Sequence, residues 1–576
     1  MYSISFLMAA LVSSATARSL ILEYVAELPQ GWTVANKAVD TGKNINFKIA
    51  LRQPAADQIA APPGAQHLTA DQVRALQAPD AKDAAAVLQW LAANSITNVK
   101  QNNDIISVST SVEKAEKLLE AKFAHYDFDN QATLLRTNQY AIPENLKGAI
   151  DFIYPITHFM DPVRRSAVEQ DAAPTQAVLD SVNAASCLLS VTPECIKSLY
   201  NVKYKAPDTE PKNRLAVAGY LNEHGNHADN DDFFKTFAPK LYAAGYNFSV
   251  ELVNGGQNPD TPHTGTGEAM LDLEYAMALA YPSATTFYST GGLGGKLDDS
   301  GNLGASDNEP YLEFIQYLLN KGDDEIPHVL STSYGDDELT VPETYARRVC
   351  DLYGLLTKRG VSVIHSSGDG GAAGGRDSNC RSKDGKHTEI AMATFPASCP
   401  WVTAIGGVTN TAEPPSGVDF SSGGFSKYFT RPTWQDKVVP AYQKAIGGLM
   451  DGYYPKDGRG IPDFSAVATN FAVIFGGMPS LIGGTSASAP LISGLISLVN
   501  DARLRKGKQS IGFLNEIMYS DKVRAVLQDI TTGTSKSCSF STGKPGGWPA
   551  KKGWDAITGL GVPKDFEKFL AVLVDA

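Results

Sequence analysis

Apolar positions along this chain follow two rhythms, and the rhythm changes near residue 187. Beyond that point the short apolar runs RLAVAGYL, ATTFYST, HVLSTSYG, VSVIHSSG, WVTAIGG and FAVIFGG alternate with helical stretches. Such alternation predicts a parallel sheet covered by helices. After Gly483-Gly484-Thr485-Ser486-Ala487-Ser488-Ala489-Pro490, apolar residues recur at Leu491, Ile492, Leu495, Ile496 and Val499, the spacing of a buried helix. Upstream, from Arg18 to about Ser166, shorter strand and helix signals alternate. Thr69 to Gln72 has the form of a capping box, residues 84–93 are helical in composition, and residues 104–109 (DIISVS) read as a strand. Thr110-Ser111-Val112-Glu113 then caps a helix predicted to run to about Phe123. A small α+β domain is expected here. Residues 161–186 carry no sustained apolar pattern and read as a linker, with Arg164-Arg165 either a processing site or a solvated pair.

The first residues differ again. Residues 1–17 have an apolar centre from Ile4 to Val12 and end in Ala15-Thr16-Ala17, a secretory signal pattern too short to span a bilayer. At 576 residues, the chain has room for two to four domains. A formal charge of −12 and a pI near 5.3 argue against nucleic acid or an anionic membrane as the main partner. The expectation is a secreted, extracellular protein, and nothing in the sequence suggests more than a monomer. Six cysteines, without CxxC spacing, favour disulfides over metal in that compartment. Their pairing stays open, with Cys187–Cys195 the simplest local choice and Cys538 a possible anchor for the loop around it. Asn247-Phe248-Ser249 is a glycosylation sequon.

Candidate chemistry gathers at three places. Ser486 follows two glycines at the start of a helix, where backbone N–H groups can receive an oxyanion; a lone Gly-Thr-Ser would equally suit a helix cap. In His263-Thr-Gly-Thr-Gly-Glu268-Ala-Met-Leu-Asp272, the two acids stand i, i+4 on one helix face. Exposed, they are a solvated acidic face; buried, they share a proton and one pKa rises. Asp369 follows the strand VSVIHSS in a Ser-Gly-Asp-Gly turn, either at the carboxyl edge of the sheet or as an ordinary turn residue.

GEAMLD, SSGDGG and GGTSASAP, in that order, resemble the motifs of the sedolisin, or serine-carboxyl peptidase, family. The resemblance covers the chain after about residue 187, and residues 18–166 resemble that family's propeptide. It implies a signal peptide at 1–17, a propeptide at 18–160, a linker with the activation cleavage region at 161–186, and a catalytic domain at 187–576. The implied fold is α/β, a subtilisin-like parallel sheet flanked by helices and preceded by a small α+β propeptide domain. The implied roles are Ser486 as nucleophile, Glu268 as general base, Asp272 as its orienting partner and Asp369 in the oxyanion hole. By the same resemblance one structural calcium ion takes Asp529, the carbonyls of Ile530, Lys551 and Gly553, and Asp555. Lys551 departs from the glycine that relatives often carry there.

Acid chemistry follows from the base. A histidine with a pKa near 6.5 is protonated in acid, whereas a glutamate sharing a proton with an aspartate remains a base at roughly pH 3–5. The expected activity is therefore acid hydrolysis of peptides or proteins, with the propeptide as intramolecular inhibitor and self-cleavage as the route to the mature enzyme. The start VTPECIKSLYNV resembles the fungal secreted tripeptidyl-peptidases. An acid endopeptidase, an inactive calcium-stabilised binding protein and a subtilisin-type enzyme with a histidine base are the alternatives.

Overall fold

The computed structural model describes residues 18–159 and 186–576, together with 168–169. Within those spans it leaves out 26–27, 29–31, 56–57, 60–65, 129–131, 158, 293–295, 298–302, 305–308, 342, 376–379, 383–387, 410–413 and 544–545. The signal pattern, Arg164-Arg165 and most of the linker thus lie outside the described residues.

Residues 18–159 fold around an antiparallel four-stranded sheet in the order Val99–Asn102, Ile105–Ser111, Asn44–Leu51, Ile150–Tyr154. Helices Ala70–Gln77, Ala81–Ala93 and Val112–Leu119 accompany it. The Thr69–Gln72 capping box forms as the sequence predicts. At the third helix Ser111, not Thr110, is the cap, and the helix stops at Leu119 because Glu120 adopts a left-handed conformation (φ +45°).

The large domain is built on a seven-stranded, wholly parallel sheet. Its strands are β2 (Arg214–Gly219), β3 (Phe248–Val253), β4 (Ala284–Thr290), β5 (Val329–Thr332), β6 (Ser362–Ser366), β7 (Thr403–Val408) and β8 (Phe464–Val467), with β1 reserved for Val168–Glu169. Their spatial order is β3-β4-β2-β5-β6-β7-β8. Period-two alternation sends Leu215 and Val217 of β2 into one face and Ala216 and Ala218 into the other. On the first face lie α2 (Gly267–Ala280) and α5 (Thr485–Arg505), packed against each other. The second face takes α3 (Tyr311–Leu319) and α4 (Glu343–Lys358); α1 (His227–Phe237) lies beside α2.

One apolar run is placed differently from its expectation. FAVIFGG is not a strand of the parallel sheet; it is β9 (Phe471–Phe475), joined by a two-residue turn at Gly476-Gly477 to β10 (Met478–Gly483) as an antiparallel hairpin. Both turn glycines have positive φ, which suits a tight hairpin and not a crossover. Phe464–Val467 and Phe248–Val253 complete the sheet in its place.

The small domain docks on the α3/α4 face, and its Ala50, Phe152 and Tyr154 join the apolar cluster of Tyr311, Tyr345 and Leu352. Arg348 of α4, itself buried, donates to Asp104, Asp151 and the Leu51 carbonyl of the small domain. Lys48 pairs with Glu313 at 2.5 Å. Three disulfides join Cys187–Cys195, Cys350–Cys399 and Cys380–Cys538. The local pairing expected for Cys187 is present, and Cys538 ties its loop to the segment that follows Asp369.

Candidate active site

Ser486 stands in the first turn of α5, directly beyond β10. Gly484 precedes it with φ +149°, a conformation L side chains rarely adopt, and makes the turn from hairpin into helix possible. The cap position of this helix is Gly484, which has no side chain, so Ser486 is not serving as its cap. Pro490 is the sixth residue of the helix, inside it and not in its first turn, and has no N–H for the Ser486 carbonyl, which accepts instead from the Ser333 hydroxyl at 3.5 Å. Ser486 is 3% exposed.

Glu268 and Asp272 occupy the first turns of α2, and both are buried, so the solvated acidic face is excluded. Burial holds the Asp272 carboxyl well above the ordinary carboxylate range; a hydrogen bond from Ser333 opposes the shift, and the charge of Glu223 adds to it. Asp272 therefore keeps its proton in the range where an ordinary aspartate has lost it. A protonated neighbour is what allows a nearby glutamate to remain charged in a buried site.

Ser333 links Ser486 to this acid. Its hydroxyl donates to Asp272 Oδ1 at 2.7 Å, and its carbonyl accepts from Ser486 Oγ at 3.4 Å. Next in sequence, Tyr334 is buried, and its phenol is held in the protonated form by burial and then by the charges of Glu223, Glu268 and Asp272. The three carboxyls and one phenol thus share a neighbourhood at the carboxyl ends of β2 and β5, adjacent strands in the sheet. Ser333, Tyr334 and Glu223 are the residues sequence reasoning missed. Their signal was present: Ser333 and Tyr334 directly follow the apolar run HVLST, and Glu223 stands four residues past RLAVAG.

Asp369 is partly buried in the turn after β6. Its Oδ1 accepts from the Thr485 N–H at 2.7 Å and from the Thr485 hydroxyl at 3.0 Å, one residue before Ser486. That hydroxyl in turn accepts from the Gly368 N–H at 3.0 Å. The fourth carboxyl is thereby fastened to the N-terminal turn of the serine helix, where an oxyanion would develop.

The histidines are elsewhere. His365 lies within β6, and burial lowers it to about 4. His328 interacts with Arg214 and is lowered to about 3. His224 bonds Gln257, His227 bonds Asp260 and His263 bonds Asp229. His387 lies outside the described residues. A described histidine base for Ser486 is absent.

Among the residues expected to hold calcium, Asp529 is joined to Gly553, and Lys551 to Asp555, with Ile530 next to Asp529 in the chain. The Gly553 N–H donates to Asp529 Oδ2 at 2.8 Å, and the Lys551 N–H donates to Asp555 Oδ2 at 3.0 Å. Burial raises both carboxyls, Asp555 to about 7. Asp529 Oδ1 is buried with no protein hydrogen-bond partner. No cluster of three or more His, Cys, Asp or Glu side chains arranged for a metal occurs among the described residues, so a cation here would depend on carbonyls. Two aspartates with an orphaned buried oxygen fit a hard cation.

Residues 30–159 match the pro-kumamolisin activation domain, and residues 292–546 match the subtilase family. The chain is 39% identical over 593 aligned residues to the tripeptidyl-peptidase sed4 of Aspergillus fumigatus, covering 96% of both chains. It is 34% identical to the tripeptidyl-peptidase SED2 of Arthroderma otae, again with 96% of each covered. Among solved structures, Pseudomonas sedolisin, a serine-carboxyl proteinase, aligns with a TM-score of 0.47 at 19% identity, over 66% of this chain and 97% of that one.

Proposed function

The chain belongs to the sedolisin family of serine peptidases, and on that premise we propose that it is a secreted, acid-active tripeptidyl-peptidase made as a self-activating zymogen. The observation that carries the reading is the linkage Ser486–Ser333–Asp272, a nucleophile connected to a buried, proton-retaining carboxyl pair and to no described histidine. Glu268 takes the Ser486 proton as the hydroxyl attacks the scissile carbonyl, becomes neutral and passes the proton to the departing amine, while Asp272 orients it by a hydrogen bond. Asp369, protonated in acid, donates to the oxyanion beside the helix N-terminus. The acyl-enzyme then hydrolyses by the reverse proton path. Removal of tripeptides is supported by the names of the relatives, not by a residue of this chain.

Calcium belongs to the same proposal. Asp529, Asp555 and the carbonyls of Ile530, Lys551 and Gly553 would hold one structural ion, which supplies charge balance to the buried Asp555 and the half-buried Asp529. Chelation is expected to lower Tm by several degrees and added calcium to restore it, with Asp555→Asn insensitive to both. Export is supported by the signal pattern and three disulfides. Asn247 is half-buried and would carry a glycan once exported.

Mass spectrometry of the products from a long peptide at about pH 4, with an N-acetylated copy, tests the reading. Successive losses of three residues from the free peptide alone are expected. Internal cuts in both peptides would make the enzyme an endopeptidase. A matured wild type as inert as Ser486→Ala would overturn catalysis altogether.

A further inference from the structure

Asp229, in the first turn of α1, is a fully buried acid that the proposed chemistry does not use. Its Oδ2 accepts from the Gly265 N–H at 2.9 Å and the Gly476 N–H at 3.2 Å. Its Oδ1 accepts from the Gly477 N–H at 2.8 Å and meets His263 Nδ1 at 3.1 Å. Gly476 and Gly477 form the turn of the β9/β10 hairpin, whose second strand leads into Ser486. His263 and Gly265 belong to the loop that enters α2, and Gly265 stands three residues before Glu268. Each oxygen of one side chain therefore joins the hairpin of the serine to the loop of the base.

The neighbouring residues are fitted to this junction. A Cβ on Gly265 would come 2.5 Å from Asp229 Oδ2, so glycine is what lets the carboxyl reach the backbone there. Asn226, the buried cap of α1, holds the same loop: its Oδ1 accepts from the His263 N–H at 3.1 Å, and its Nδ2 donates to the Thr261 carbonyl at 2.8 Å. His263 keeps a left-handed conformation (φ +60°), which a side chain of its kind adopts only where its surroundings hold it. On α2, the fully buried Glu274 accepts from the Ile474 N–H of β9 at 3.2 Å, a second strut between the helix of the base and the hairpin.

From this junction we infer that Asp229 is a positioning residue for peptide hydrolysis: it sets the spacing of Ser486 and Glu268 by tying the hairpin that delivers one to the loop that delivers the other. The inference rests on the proposed reading, in which Glu268 takes the proton of Ser486. Both groups stand in the N-terminal turns of their helices, close to the segments that Asp229 binds. Misplacement of reacting groups by about 1 Å can cost about 100-fold in rate. A carboxyl is needed for the task, because three of its partners are backbone N–H groups that can only donate. In Asp229→Asn an amide NH2 replaces one oxygen and turns a donor toward donors.

The test compares wild type with Asp229→Asn, the propeptide of the variant removed by immobilised wild-type enzyme. The readings are kcat and KM on a free-amino hexapeptide, and Ki for a tripeptide aldehyde and for the matching tripeptide alcohol. Ser486 captures the aldehyde as a hemiacetal, Oγ bonding to its carbon and the hydroxyl proton ending on its oxygen. Aldehyde affinity thus reads the alignment of the serine, whereas the alcohol reads binding alone. In the variant, kcat should fall about 10- to 100-fold with KM nearly unchanged, the aldehyde Ki should rise by a similar factor, and the alcohol Ki should stay. A lowered kcat beside an unchanged aldehyde Ki would mean fewer active molecules and a merely structural Asp229. Equal weakening of aldehyde and alcohol would assign Asp229 to substrate binding. Either result overturns the inference, as does an unchanged kcat. If Asp229→Asn does not fold, Gly265→Ala, whose methyl pushes the loop off the carboxyl, decides by the same readings. A wild type that leaves the hexapeptide uncut would overturn the peptidase reading first, and this inference with it.

Discussion

Ser333 shows how much of the chemistry hangs on one side chain that carries none of it. Its hydroxyl is the hydrogen bond that opposes the upward push of burial on Asp272. In Ser333→Ala the Asp272 carboxyl loses that partner, which costs about 1–3 kcal/mol in a buried site, so kcat/KM should fall roughly 10- to 100-fold. Because the lost bond had favoured the ionised form, the proton of the carboxyl pair is held still more tightly. The alkaline limb of the pH–rate profile should therefore move to higher pH, and a profile that only scales down without moving would show that Ser333 merely packs. His365 illustrates the opposite case: a buried imidazole lowered to about 4 beside the catalytic strands, yet bonded to the Ser366 carbonyl.

At the scale of elements, the site depends on how closely α2 and α5 approach. Gly494 makes the approach possible: a Cβ there would come within 2.6 Å of Leu279 Cβ and 3.0 Å of the Ala276 carbonyl oxygen. Alanine gains up to about 1 kcal/mol of helix propensity, but a backbone carbonyl and a Cβ fixed to the backbone cannot yield to the clash, which costs about 1–3 kcal/mol. Gly494→Ala should lower Tm and reduce kcat with substrate affinity less affected, since the two helices carry Glu268 and Ser486. Thermal unfolding and steady-state kinetics on the same preparation check this, and an unchanged kcat would mean that the helices separate without moving their first turns. The helix of Glu268 was legible in the sequence, down to its glycine-rich start. The role of FAVIFGG was not, because a short apolar run has the same pattern in a buried parallel strand and in a covered hairpin.

Across the whole molecule, the propeptide domain and the large domain share one apolar cluster and several charged contacts, and the titratable groups between them do not all pull one way. His67 of the small domain packs against Gly360 and Gly512 of the large one, and its pKa is lowered by burial and then by Arg503. A base lowered by docking binds fewer protons docked than free, so its contribution to docking is lost as pH falls below its free value near 6.5. Asp104, beside Arg348, and Glu23, beside Thr344, are raised by burial and act in the opposite sense, holding the domains together as acid is added. His67→Gln should therefore shift release of the propeptide domain to lower pH, read by size-exclusion chromatography of the Ser486→Ala zymogen across a pH series. A release midpoint unmoved by the substitution would assign acid sensitivity to other groups.

By itself the sequence determined the class of fold, the two-part organisation and the three motifs, because glycine-rich turns, apolar periodicity and short polar patterns are local features that a reader can count along the chain. It also placed Ser486 at a helix start and Glu268 with Asp272 on one helix face, since helical spacing alone requires that. Whether that face was wet or buried was a tertiary decision, made by the packing of α2 against α5 and the sheet. So was the company it keeps: Glu223, Ser333 and Tyr334 reach the carboxyl pair from two other strands, more than 40 residues away on one side and more than 60 on the other. A pKa is set by solvent exclusion and by nearby charges in space, and neither is written in the order of residues along the chain.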